Sequence, residues 1–77
     1  MWKEIYNEVL DEIVYKYSSE DKDVVIIQNS VGGKYCSCVM YPNGRVMEYV
    51  LLDGDNLSLL KDFSLVKARE LGWHINF

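Results

Sequence analysis

Residues 34–52 read Lys-Tyr-Cys-Ser-Cys-Val-Met-Tyr-Pro-Asn-Gly-Arg-Val-Met-Glu-Tyr-Val-Leu-Leu. Two runs of largely apolar residues flank Tyr41-Pro42-Asn43-Gly44, a sequence typical of a hairpin turn. Successive side chains of a strand point to opposite faces of a sheet, yet both alternating sets here are mostly apolar. The stretch therefore predicts a β-hairpin with two apolar faces, in a chain of 77 residues that has little else to cover them.

The geometry of the turn decides which side chains share a face. A three-residue loop with a glycine bulge would pair Tyr41 with Arg45. One set is then predicted to lie on an open face and to contact a partner: Tyr35, Val39, Tyr41, Met47, Tyr49 and Leu51. The other set is predicted to pack against helices: Cys36, Cys38, Met40, Val46, Val50 and Leu52. A two-residue Asn-Gly turn would exchange the partners of the later strand and leave both faces largely apolar.

The rest of the chain predicts helices on either side of three strands. Apolar residues recur at spacings of three and four over 2–17, which is typical of an amphipathic helix. A β-branched run over 24–28 predicts a strand, followed by a turn at 29–33 and by the hairpin strands at about 34–41 and 45–52. After the loop at 53–56, we expect two helical pieces, 57–62 and 64–71. The N-caps are Asp55 or Asn56 for the first piece and Ser64 for the second, and Gly72 is the C-terminal stop.

These elements predict an α+β fold in a single domain spanning residues 1–77. The order is α-β-β-β-α, with a short C-terminal strand as an option, because Trp73, Ile75 and Phe77 alternate with polar residues. We expect an antiparallel sheet with the helices packed on one face. Apolar side chains left on the other face would mark a partner surface.

The negative charge is concentrated near the N-terminal end. The formal net charge is −4, and residues 1–23 carry seven acidic and three basic side chains, so their local net charge is also −4. Four carboxylates on the predicted first helix are candidate contacts for a partner with a basic surface: Glu4, Glu8, Asp11 and Glu12. The alternative is an ordinary solvated helix face. An acidic chain is poorly suited to bind nucleic-acid phosphates directly.

No motif predicts catalysis, a cofactor or a metal site. Cys36, Cys38 and His74 lack the spacing and the fourth ligand of a zinc site, and we interpret the two cysteines as reduced packing thiols. The Gly-Gly-Lys at 32–34 lacks the P-loop spacing, and the loop at 53–56 lacks the last glutamate of a calcium loop. Reduced thiols, the lack of a signal-peptide pattern and the lack of an apolar run long enough for a membrane span predict a cytoplasmic protein.

Two known classes resemble the chain at the level of architecture. The α-β-β-β-α order is similar to that of the double-stranded-RNA-binding domain over most of the chain. That family reads RNA with a basic cluster at the start of its last helix, where this sequence offers Lys61 alone, so the resemblance implies the topology without RNA binding. In size, charge and architecture the chain also resembles small acidic phage inhibitors, including anti-CRISPR proteins, which block a nuclease or defence enzyme by surface contact.

The sequence thus predicts a non-catalytic protein-binding module. Its most concrete form is an inhibitor of a nucleic-acid enzyme or defence complex. The alternative is an assembly module whose tyrosine-bearing sheet face forms a homodimer or docks on a larger subunit. Whether the purified protein is monomeric discriminates between these two functions.

Overall fold

Five antiparallel strands and a C-terminal helix form the fold. The structure, a computed structural model, describes residues 1–43 and 49–75, with the backbone alone at 49 and 50. The strands are adjacent in chain order: β1 (Trp2–Asn7), β2 (Glu12–Ser19), β3 (Lys22–Asn29), β4 (Tyr35–Met40) and β5 (Tyr49–Gly54). A 3-10 turn at Val31–Gly33 joins β3 to β4, and α1 (Leu57–Glu70) packs over β3, β4 and β5. In the described part of the chain, no helix is long and apolar enough to cross a membrane.

The predicted helix over 2–17 is wrong, because this segment forms the β1–β2 hairpin. Its residues 13–17 are Ile-Val-Tyr-Lys-Tyr, which favour a strand. The side chain of Asn7 closes the turn by accepting hydrogen bonds from the N–H groups of Val9 and Leu10. The order is therefore five strands and then a helix, so the topological resemblance to the double-stranded-RNA-binding domain does not apply.

The central strands are confirmed, but the pairing of the last hairpin differs from the prediction. The strand at 24–28, the turn at 29–33 and the strand at about 34–41 correspond to β3, the 3-10 turn and β4. Val39 lies opposite Val50, whereas the predicted register would place Val39 opposite Met47. The partner of Val39 is thus three residues later in the chain than the predicted one. Residues 44–48, which include part of the predicted strand at 45–52, lie outside the described residues.

The two faces of β4 are the reverse of the prediction. Val39 is fully buried beneath α1, and the Ser37 hydroxyl lies 2.7 Å from the hydroxyl of Ser64 in that helix. Because side chains alternate along β4, Cys36 and Cys38 must point away from α1. Both faces were predicted to be apolar, so polarity did not indicate which of them would pack against the helix.

The core lies between the sheet and α1. It contains buried side chains of β3 and β4, of the helix, and of the segment that follows it: Val24, Val25, Ile27, Val39, Leu60, Leu65, Ala68, Trp73 and Ile75. Val24 and Val25 are adjacent and both are fully buried. The β2–β3 register shifts between Tyr17 and Ser18, beside this pair, which is where a bulge can re-aim a side chain that would otherwise turn outward.

The start of α1 is confirmed, and the predicted break within it is wrong. The Asn56 side chain is the N-cap and accepts a hydrogen bond from the Leu59 N–H at 3.2 Å. The helix runs without interruption from Leu57 to Glu70, so the two predicted pieces form one element. Ser64 is not a second N-cap, because its hydroxyl donates to the Leu60 carbonyl within the helix, a bond open to serine in a helix interior.

The end of α1 is confirmed at Gly72, which adopts a φ of 111°. Its N–H donates to the Arg69 carbonyl, and the Trp73 N–H donates to the Ala68 carbonyl. These two bonds form a Schellman motif, in which a buried residue after the glycine packs back on the last turn. Residues 73–75 are not in a strand, and the rest of the optional C-terminal strand, 76–77, lies outside the described residues.

Candidate protein-contact surfaces

The acidic side chains gather at one end of the β1–β2 hairpin, although not as the predicted helical stripe. Glu4 lies in β1, Glu8 and Asp11 lie in the turn, and Glu12 begins β2. Glu4 pairs with Tyr15 and Glu12 with Asn7, so these two carboxylates are on opposite faces of the sheet. The sequence has no Lys or Arg from residue 4 to residue 15. The four carboxylates therefore surround the end of the hairpin.

Exposed apolar side chains occupy the same end of the hairpin. Val9 is 93 % exposed and Leu10 is 53 % exposed, both in the turn. Tyr6 and Ile13 pair directly across the two strands and are also exposed. We call the following set the hairpin tip: Glu4, Tyr6, Glu8, Val9, Leu10, Asp11, Glu12 and Ile13. It combines exposed apolar and aromatic side chains with four carboxylates.

Local hydrogen bonds hold the hairpin tip in one shape. The Asn7 side chain accepts from the Val9 N–H at 3.0 Å and from the Leu10 N–H at 3.1 Å. The Tyr6 hydroxyl donates to the carboxylate of Asp11, which adopts a φ of 52°. That hydrogen bond, and then desolvation, raise the pKa of Tyr6. A preordered contact surface loses less conformational entropy on binding.

A second apolar surface lies on the face of the sheet away from α1. Ile5 lies opposite Val14, and Cys38 lies between Ile26 and Leu51. An antiparallel sheet with helices on one side usually presents polar residues on the other. Here Leu51 is 62 % exposed and Ile5 is 40 % exposed. We call the following set the open face: Ile5, Val14, Ile26, Cys36, Cys38 and Leu51.

The two cysteines are free and half-buried on the open face. The predicted packing of these thiols against a helix is therefore wrong. Desolvation raises the pKa of Cys36 most, and the neighbouring Cys38 and Asp53 raise it further. A raised pKa lowers the fraction of thiolate, the form that attacks electrophiles and binds metals. Among residues 1–43 and 49–75, no group of three or more His, Cys, Asp and Glu side chains could hold a metal ion.

The predicted tyrosine-bearing surface is not assembled on the open face. Val39 is in the core, and half-buried Tyr35 packs against that core with its ring 6.4 Å from the ring of Tyr15. Tyr41 follows β4 and is half-buried, while Tyr49 lies in β5 opposite Met40. Met47 and the side chain of Tyr49 lie outside the described residues. Among the members of the predicted set whose side chains are described, Leu51 lies on the open face.

An aromatic cluster beside α1 was missed by the sequence reasoning. Trp2 and Tyr17 pack edge to face at 5.4 Å between ring centroids. The Lys61 ammonium lies 5.4 Å from the ring centroid of Trp2 and 4.7 Å from that of Tyr15. These cation–π contacts hold the β1–β2 hairpin to α1. The alternation of Tyr15 and Tyr17 in a β-branched run was the signal that could have revealed it.

No protein-family model matches the chain, and no curated protein and no solved structure matches it. Its function is therefore inferred from its own surfaces.

Proposed function

We propose that the protein is a non-catalytic binding module that inhibits a nucleic-acid enzyme or a defence complex, with the hairpin tip as its contact surface. The observation that carries this proposal is the exposed pair Val9 and Leu10 in a turn flanked by four carboxylates. Enzymes that hold nucleic acid do so with grooves of Lys and Arg. Such a groove attracts the carboxylates, and its walls can bury the apolar centre of the tip.

The two parts of the hairpin tip have different roles in this function. Rim charges mainly accelerate the encounter between partners, and salt weakens their effect. Desolvated apolar side chains at the centre of an interface supply most of its binding energy. A two-stranded ribbon is narrow enough to enter the major groove of DNA. A protein groove that holds a whole duplex is wider than that, so the ribbon can enter it as well. The tip would then occupy the path of the phosphate backbone.

A cleavage assay with purified nucleases tests this function. The panel contains a nonspecific DNase, a ribonuclease and an RNA-guided DNA nuclease, each titrated with the full chain at several salt concentrations. We expect inhibition of at least one of these enzymes, and weaker inhibition as the salt concentration rises. The Glu8→Lys/Glu12→Lys variant should inhibit about tenfold less, because two attractive rim charges become repulsive.

The matched control is Asp55→Lys/Asp62→Lys, at exposed positions away from the hairpin. Each double variant brings the formal net charge from −4 to zero, so a general charge effect would appear in both. A further variant, Val9→Ser/Leu10→Ser, should weaken inhibition while leaving its salt dependence unchanged. Equal inhibition by the tip variant and its control, or the absence of inhibition across the panel, would contradict the proposal.

A further inference from the structure

We infer that the open face is the contact between two copies of this chain, packed sheet against sheet. Apolar or thiol side chains lie on this face on all five strands, from Ile5 on β1 to Leu51 on β5. Gln28 and Lys16, whose ammonium is paired with Asp23 at 3.8 Å, lie among them. In the described part of the chain, α1 packs on the opposite side, where Ser64 bonds Ser37. Two such faces brought together would form the inner layer of a β-sandwich, with the sheets about 10 Å apart.

The size of the open face fits a weak, reversible dimer. Five strands at about 4.8 Å spacing, each about 20 Å long, cover roughly 500 Å². Two copies would then bury roughly 1,000 Å² in total, which is the lower bound for a specific interface. The face is thus large enough for self-association and small enough that the dimer dissociates on dilution.

The charges on the open face favour one arrangement of the two copies. Lys3 on β1 and Lys16 on β2 lie in the same row as Ile26, and Asp53 lies at the β5 margin, opposite Cys36. A two-fold axis parallel to the strands places β1 of one copy over β5 of the other, so the Lys3 margin meets the Asp53 margin. An axis across the strands would place each margin over its own copy and oppose like charges.

A dimer could also form by pairing of the two β1 edge strands, but the sequence of β1 disfavours it. Lys3 and Glu4 are exposed and adjacent on this edge strand, which is a common protection against edge-to-edge pairing. The two-fold arrangement of open faces instead places Ile26, on the central strand, near the axis. There it would meet its own copy in the middle of the interface, where apolar burial contributes most.

The cysteines provide a built-in probe of this contact. Cys36 and Cys38 are free and half-buried in one copy, on the face that the second copy would cover. Their rate of reaction with a small maleimide should therefore fall as the protein concentration rises. Dimerisation through another surface would leave the rate unchanged.

Sedimentation of the full chain from about 1 μM to about 1 mM, together with thiol labelling over the same range, tests the inference. We expect the mass to rise toward that of a dimer while labelling slows. Leu51→Lys should raise the dissociation constant at least tenfold, and Ile5→Lys on β1 serves as a second test. Both positions are exposed in one copy, so circular dichroism should show an intact fold.

The matched control is Val66→Lys, which removes an exposed apolar side chain from α1 on the other side of the molecule. It should dimerise like the wild type, as should the tip variant Val9→Ser/Leu10→Ser, which separates this inference from the proposed inhibition. A monomer at every concentration would overturn the inference. So would a dimer that Val66→Lys dissociates and Leu51→Lys does not, or a dimer whose thiols react at an unchanged rate.

Discussion

The Ser37 hydroxyl in β4 donates a hydrogen bond to the Ser64 hydroxyl in α1, across 2.7 Å of the core. Both serines are fully buried, and the Ser64 hydroxyl donates to the Leu60 carbonyl at 2.6 Å. A hydroxyl carries one proton, so Ser64 must accept from Ser37. The polar chain therefore runs in one direction, from the sheet into the helix backbone.

This direction predicts unequal costs for removing the two hydroxyls. Ser64→Ala leaves the Ser37 proton buried without an acceptor and should lower the free energy of unfolding by about 1–3 kcal/mol. Ser37→Ala leaves the bond from Ser64 to Leu60 in place and should cost less than about 1 kcal/mol. The double variant should cost less than the sum of the single variants, because no donor is left unpaired. Urea denaturation measures all three, and equal losses for the single variants would reverse the assigned direction.

Gly72 joins α1 to the segment that carries the buried Trp73. A side chain there would be strained by the φ of 111°, and its Cβ would lie 3.4 Å from Cγ of Pro42. Gly72→Ala should lower the free energy of unfolding by about 1–3 kcal/mol. The Trp73 indole N–H donates to the Met40 carbonyl at 2.6 Å, so tryptophan fluorescence should report any displacement.

Gly32→Ala is the control for this substitution. Gly32 has a φ of 75°, nearer the left-handed helical region than Gly72, and no atom lies within 4 Å of an added Cβ. Its alanine variant therefore has a milder backbone strain and no steric contact. Its cost should be about 1 kcal/mol. If thermal or urea denaturation shows Gly32→Ala to be as destabilising as Gly72→Ala, the contact with Pro42 does not contribute.

Local backbone chemistry was the part of the fold that the sequence could predict. Next to a leucine-rich run, an asparagine is typical of a helix N-cap and a glycine is typical of the residue that ends a helix. Asn56 and Gly72 have these roles at the two ends of α1. Residues 2–17 were ambiguous because their apolar positions fit a helical spacing as well as an alternating one. Two hydrogen bonds to the Asn7 side chain close the turn of the hairpin. The spacing of apolar residues does not reveal these bonds.

The candidate contact residues were also predictable only in part. Glu8 and Asp11 were identified from charge alone, and the hairpin keeps them together because they share one short turn. The tyrosine surface depended on register, which a single residue of shift reverses. Both faces of β4 are apolar, so the core could equally have taken Cys38 or Val39. The burial of Ser37 against Ser64 shows which face took the helix.

The thiol of Cys36 should titrate at a higher pH than an unhindered cysteine. Desolvation, then Cys38, then Asp53 raise its pKa, so protons bind the folded state more tightly than the unfolded one. The resulting stability is present below the pKa of the unfolded thiol, and it is lost as pH rises through the folded pKa. Alkylation by iodoacetamide measures the thiolate directly, and Cys38→Ser isolates the signal of Cys36.

The same variant unfolded in urea is the reference for that titration. The folded protein, kept dilute so that it stays monomeric, should reach half-maximal alkylation at a higher pH than the unfolded chain. Adding Asp53→Asn should lower this midpoint part of the way, because desolvation remains. A folded midpoint at or below the unfolded one would show that Cys36 is more solvated than its place on the open face implies.

Asn7 should order the hairpin tip without determining the stability of the whole sheet. Its side-chain oxygen accepts from two turn N–H groups, those of Val9 and Leu10. Asn7→Ala removes both bonds and should speed exchange of these two amide hydrogens about five- to tenfold, as expected for about 1 kcal/mol. Asn7→Asp keeps the acceptor and should exchange like the wild type. Because β3 and β4 pair independently of this turn, their amides should not respond to either variant. Faster exchange throughout β2 and β3 in Asn7→Ala would mean instead that the turn stabilises the entire sheet, and the tip could not then be altered separately from the fold.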